Sequence, residues 1–175
     1  IVNNSANSLL VFIFSPILGL IWLAMAKKKI EPNTVVKFGL GFLFLGAAFY
    51  TFYYTRFFAD IQGITSLNLF TGAYLIMTIA ELCLSPIGLS TMTKLSPKRL
   101  GGMMMGLWFL ASAYGQYAAG ILGAGMSAPD NEATLMTKLQ LYTDGYYQLA
   151  IYAFIAGAVL LIVSPIIRKL MMEVK

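Results

Sequence analysis

The chain contains no histidine and a single cysteine, Cys83. One thiol cannot close an internal disulfide, and without imidazole it cannot supply the ligand sets that hold zinc or haem. No metal site is expected. Charge is scarce as well. Charged residues make up 11% of the sequence and hydrophobic ones 59%, whereas a soluble domain carries about 25% charge. That balance excludes an ordinary soluble domain and makes hydropathy the first thing to read. No basic n-region opens the chain at Ile1-Val2-Asn3-Asn4, so no signal peptide is expected there. Cys83 falls inside an apolar run and reads as a small buried hydrophobe.

What the chain does have is apolar length. A spanning helix needs about 20 apolar residues, and five stretches meet that length: 8–26, 35–54, 69–91, 102–124 and 146–167. They predict an all-α polytopic membrane protein. The charges between them alternate. Lys27, Lys28 and Lys29 lie between the first two spans with Lys37 at the start of the second, Lys94, Lys98 and Arg99 between the third and fourth, and Arg168, Lys169 and Lys175 after the fifth. These are ten of the twelve basic residues, all on one side of an alternating path. Arg56 and Lys138 fall on the other side, with Asp60, Asp130, Glu132 and Asp144. By the positive-inside rule the basic side, with the C-terminus, is cytoplasmic. A nucleic-acid surface needs no such alternation, so the net charge of +5 does not imply nucleic acid. Five spans with a cytoplasmic C-terminus leave the N-terminus outside with nothing to carry it there. The expectation is therefore a C-terminal portion of a longer protein, with at least one helix upstream.

The aromatic cluster Phe49, Tyr50, Phe52, Tyr53, Tyr54, Phe57 and Phe58 reads as an interfacial belt. The polar segment 126–144 reads as an exposed loop, with room for a short interfacial helix over 131–141.

Glu81 stands near the middle of the third span. A carboxylate at that depth costs about 3 kcal/mol or more, so intramembrane acids face a cavity, a partner or a proton path. Pro86 removes the helix hydrogen bond to the Leu82 carbonyl one turn on, and a kink or local opening is expected there. Ser85 and Gly88 share the Glu81 face. Together they suggest a gating helix that carries an acidic site. In the fourth span Gly102 and Gly106 have small-xxx-small spacing. Trp108, Ser112 and Gln116 follow at i, i+4 and i+8, a stripe that must face protein or water. Trp108 reads equally well as an interfacial anchor or a pocket wall. The first span opens on Asn3, Asn4, Ser5, Asn7 and Ser8, residues that favour helix caps, and holds Pro16 inside.

The ordered string Glu81-Leu82-Cys83-Leu84-Ser85-Pro86-Ile87-Gly88-Leu89-Ser90, then Thr93-Lys94-Leu95-Ser96-Pro97, then Gly102-Met103-Met104-Met105-Gly106-Leu107-Trp108-Phe109-Leu110, resembles the proton-dependent oligopeptide transporters of the major facilitator superfamily. Asn7 with Pro16, and Lys37-Phe38-Gly39-Leu40-Gly41, extend the likeness. The resemblance implies a major facilitator superfamily-like C-terminal helical bundle, the last five of about twelve helices, over 1–175. It implies proton-coupled symport of di- and tripeptides by alternating access, in the plasma membrane, and no enzyme. By resemblance, Glu81 receives the peptide's amino terminus, Asn7 helps hold that end, and Trp108 and Ser112 line the pocket. Pro86, Gly88 and Pro16 are the gating or kink positions. The expected partners are the peptide, protons, the lipid bilayer and the N-terminal half of the same carrier. No cofactor is expected, with the proton gradient as energy source. Ala80 and Ser8 stand where glycine and proline are frequent in the family. The alternative readings are a facilitator for another small solute (nitrate, a glycoside or an amino acid), a structural membrane subunit, and an integral-membrane enzyme. The last would normally show a His, Asp or Glu cluster near a span end.

Overall fold

The structure, a computed structural model, describes residues 2–60, 64–97, 99–126 and 134–170, with side chains described from 8 to 167 within those ranges. Five long helices carry the fold: α1 (Val2–Lys27), α2 (Thr34–Tyr54), α3 (Leu67–Leu95), α4 (Gly101–Gly125) and α5 (Leu135–Leu170). A short 3₁₀ turn, Thr55–Phe58, extends α2. Among the described residues there is no strand.

Local chemistry sets the helix ends. Lys29 takes the left-handed conformation (φ 59°) that closes α1. The Ile30 N–H then donates back to the Met25 carbonyl at 3.1 Å, and Lys29 N–H to Ala26 at 3.0 Å. This is the Schellman pattern, which satisfies carbonyls that the helix end leaves over. Three residues later Asn33 starts α2. Its Oδ1 accepts from the Val36 N–H at 2.8 Å, as an N-cap does. The same side chain donates through Nδ2 to Ser164 Oγ of α5 at 3.1 Å. One asparagine thus starts a helix and ties it to another. Lys37, counted from sequence with the loop charges, lies in the first turn of α2. It pairs with Glu31 and lies 4.7 Å from the centroid of the Trp22 ring, which joins α2 to the end of α1.

α2 is the centre of the bundle, between α3 and α5. Its glycines admit both neighbours. A Cβ on Gly39 would stand 2.9 Å from Leu161 of α5, and one on Gly157 of α5 would stand 3.0 Å from Leu43. On the other side of α2, a Cβ on Gly41 would meet Leu84 at 2.8 Å and Cys83 at 3.3 Å. In an apolar solvent helices associate through close backbone approach rather than hydrophobic transfer, so small residues line the contacts. The buried set fits this: Ala48, Ala73, Ala80, Cys83, Ala150 and Ala153.

These contacts fix direction. Asn33 meets Ser164, Gly39 meets Gly157, Gly46 meets Phe154 and Phe52 meets Tyr146, so α2 and α5 are antiparallel. Phe52 also meets Phe70, at 5.2 Å between ring centroids, and Gly41 meets Leu84, so α3 opposes α2 as well. The α1–α2 and α3–α4 connections therefore sit at one end of the bundle, with the end of α5. Lys27, Lys28, Lys29, Lys37, Lys94 and Arg99 all lie at that end. The alternation of charge read from the sequence is present in the fold. Lys98, and the side chains of Arg168 and Lys169, lie outside the described residues, as does Lys175.

Four of the five helices contain segments long and apolar enough to cross a membrane: Ser8–Lys27, Thr34–Phe58 (through the 3₁₀ turn), Leu67–Leu95 and Leu135–Ile167. α4 has the length, but Ser112, Gln116, two tyrosines and its glycines dilute its apolar character. The polar segment ahead of the fifth span also differs from expectation. Residues 135–144 continue α5 without a break, while 127–133 lie outside the described residues. The resulting 36-residue helix is about 54 Å long, against about 30 Å of hydrocarbon. Its first turns are steadied by Thr143, which donates to the Leu139 carbonyl at 2.8 Å, and by Asp144, which pairs with Arg56 at 2.6 Å.

Candidate functional site

α3 runs unbroken from Leu67 to Leu95 through Pro86, and α1 through Pro16. Both prolines are exposed. Glu81 is half-buried in the middle of α3. Gly88, two turns further on, is buried, and Ser85 between them is exposed. Seven residues make two helical turns less about 20°, so Glu81 and Gly88 share a face.

Gly88 is where α4 meets α3. A Cβ there would stand 2.8 Å from Cζ2 and Cζ3 of Trp108, and nearer still to Cη2. The six-membered ring of the indole lies directly on the glycine backbone, a seat that no other residue leaves free. Trp108 is half-buried as a result. Ser112 Oγ donates to the Trp108 carbonyl at 3.0 Å. Such back-bonding is common for hydroxyl residues in helices, and it leaves the oxygen's acceptor capacity available. Gln116, the third member of the stripe, is exposed.

The structure brings two sequence-predicted positions into contact, Gly88 and Trp108; Glu81 lies two turns from Gly88 on the same face of α3, and Ser112 one turn beyond Trp108 on α4. Pro16 lies on α1, which also lies against α3. The Asn7 side chain lies outside the described residues. The sequence singled out Gly88 for its place on the Glu81 face, and its pairing with Trp108 went unread. Counting could have found it. Gly88 precedes the end of α3 by seven residues and Trp108 follows the start of α4 by seven, so an antiparallel hairpin sets them level.

Outside these contacts α1 and α4 are open. Among the described residues, none of α1 from Ser8 onward and none of α4 is buried. A second close approach at a glycine comes at the far end of α4. There Met126 Sδ would stand 2.8 Å from a Cβ on Gly145 of α5. A cavity of about 350 Å³ lies beside that contact, lined by Ile121, Leu122, Gln148 and Tyr152 among others, at the end of the bundle away from the basic loops. No group of three His, Cys, Asp or Glu able to hold a metal occurs among the described residues.

The PTR2 model of the POT family matches residues 4–140. The chain belongs to the POT family. It is similar to peptide transporter YePEPT of Yersinia enterocolitica, with 37% identity over 96% of this chain and 32% of the relative. It is also similar to dipeptide and tripeptide permease A of Chromobacterium violaceum, with 29% identity over 98% of this chain and 34% of the relative. The crystal structure of a peptide transporter POT in complex with sulfate superposes with a TM-score of 0.78, at 30% identity, over 95% of this chain and 31% of that one. The chain therefore spans about a third of the length of the relatives it matches. POT-family proteins are membrane transporters, and the apolar helices of this chain accord with that. The all-helical fold and the family resemblance read from the Glu81 string both stand.

Proposed function

We propose that this POT-family chain is the C-terminal part of a secondary active transporter that moves di- and tripeptides together with protons by alternating access. The names of its relatives, a peptide transporter and a dipeptide and tripeptide permease, support the substrate class. The observation that carries the reading is the Gly88–Trp108 contact, which brings an aromatic wall to the face of α3 that bears Glu81. A carboxylate in a low-dielectric site is stabilised by a cation or a proton and little else. A peptide's terminal ammonium supplies the first and the coupling ion the second. Either one neutralises Glu81, so binding and protonation act on the same group.

The other assignments follow. Trp108 presents an amphipathic ring to variable side chains, and Ser112 offers an acceptor one turn beyond. Asn7 helps hold the peptide's amino end. Pro86, Gly88 and Pro16 are the points at which α3 and α1 bend between states. The basic end of the bundle, with the C-terminus, is cytoplasmic. The N-terminal half of the carrier completes the cavity, the bilayer surrounds it, and the proton gradient supplies the energy without a cofactor.

The test is uptake by the full-length carrier in proteoliposomes under an imposed proton gradient. Glu81→Gln is expected to lose most alanyl-dipeptide uptake while remaining folded. A variant that transports as well as the parent removes Glu81 from the mechanism. Uptake of another solute, with no peptide competition, removes the substrate class.

A further inference from the structure

Gly88 and Trp108 fix the register of the α3–α4 hairpin. Glu81 precedes Gly88 by seven residues, about 10 Å of helical rise. The residue seven past Trp108 is Gly115. In an antiparallel pair this sets Gly115 at the depth of Glu81, within about one turn. The same spacing keeps Glu81 on the Gly88 face of α3 and Gly115 on the Trp108 face of α4. These two faces meet at the indole. At the level of Gly88 the indole fills the space between the helices. At Gly115 the space is open, for a Cβ there meets no atom within 4 Å.

Gln116 stands next to Gly115. It is exposed, and its amide has no hydrogen-bond partner among the described residues. A primary amide is costly against hydrocarbon, and it carries one acceptor and two donor hydrogens. That set complements a peptide group, which has one donor and one acceptor.

We propose that Gly115 and Gln116 form the wall of the substrate site opposite Glu81. Gly115 leaves the volume that the first side chain of the peptide occupies, and Gln116 hydrogen-bonds the peptide's first amide group. With the terminal ammonium at Glu81, both features of the ligand begin two bonds from the charge, so one wall contacts both. The proposal rests on the peptide-transport assignment above and names its specificity-determining positions.

The experiment uses the full-length carrier in proteoliposomes and three dipeptides: alanyl-alanine, leucyl-alanine and phenylalanyl-alanine. Gly115→Val is expected to raise KM for phenylalanyl-alanine about tenfold, with alanyl-alanine changed by less than about threefold. Gly115→Ala gives the same ordering with a smaller spread and serves where valine hinders folding. Gln116→Leu raises KM about tenfold for all three with Vmax kept, as loss of a uniform binding contact does. Gln116→Asn restores part of that loss. Equal effects of both Gly115 variants on all three peptides, or a Gln116→Leu carrier that matches the parent, overturn the proposal and leave peptide transport intact. A parent carrier that takes up none of the three overturns both.

Discussion

At the scale of single residues, two side chains rest on glycines of neighbouring helices, one in α4 and one at its C-cap. Trp108 lies on Gly88 and Met126 on Gly145, with no buried residue of α4 between them. Gly88→Ala forces a methyl group into the indole. Overpacking of this kind costs about 1–3 kcal/mol. The expected result is a lower unfolding temperature of the full-length carrier together with weaker peptide binding. A Gly88→Ala carrier with parental affinity and stability would mean that the indole does not bear on the glycine. Glu81 stood out in the sequence because a carboxylate in an apolar run is conspicuous anywhere. Trp108 did not resolve into wall or anchor, because composition near a span end suits both. Its contact with Gly88 is a tertiary fact that composition does not carry.

At the scale of elements, α2 and α5 are joined at several depths. Asn33 and Ser164 hold the basic end, Gly39 and Gly157 the middle, and Phe52 with Tyr146 the opposite end, at 5.2 Å between centroids. Asn33→Ala removes an N-cap and an interhelical hydrogen bond together, a loss of about 1–2 kcal/mol. Ser164→Ala loses only the second. A double-mutant cycle read by thermal unfolding is expected to show coupling between them, whereas strictly additive losses would deny the bond. Helix existence was legible in apolar run lengths, and the ends came within one residue for α2 and α4 and within four for α3. The beginning of α5 did not, because a polar helix that leaves the bilayer looks like a loop when only hydropathy is read. The aromatic belt was half right. Tyr50, Tyr54, Phe57 and Phe58 are exposed, as a belt requires. Phe52 is 5% exposed and sits among Phe70, Tyr74 and Tyr146, which makes it core. Alternation along one helix cannot show this, since lipid and protein interior are equally apolar.

At the scale of the whole molecule, charge and packing give different kinds of order. The described basic side chains gather at one end, apart from Arg56 and Lys138. In cells this predicts a fixed orientation. In a carrier bearing Cys83→Ser, an impermeant maleimide should label Ile64→Cys from outside, and Lys28→Cys only after the membrane is opened. The reverse pattern would invert the assignment. Packing is uneven in another way: α2, α3 and α5 hold the buried residues, and α1 and α4 stay open beside α3. The α2–α5 crossing has a consequence of its own. Gly39 and Leu43 on one helix face Gly157 and Leu161 on the other, each glycine against the opposite leucine. Exchanging the two helices exchanges one pair for the other, so the crossing is symmetric in residue type. Harm done on one side of this joint should then be mended by trimming the other: Gly39→Ala by Leu161→Ala in full, but Gly157→Ala by Leu43→Ala only in part, because a Cβ on Gly157 also meets the Gly39 carbonyl oxygen at 3.1 Å, and the crossed-over combinations bring no relief.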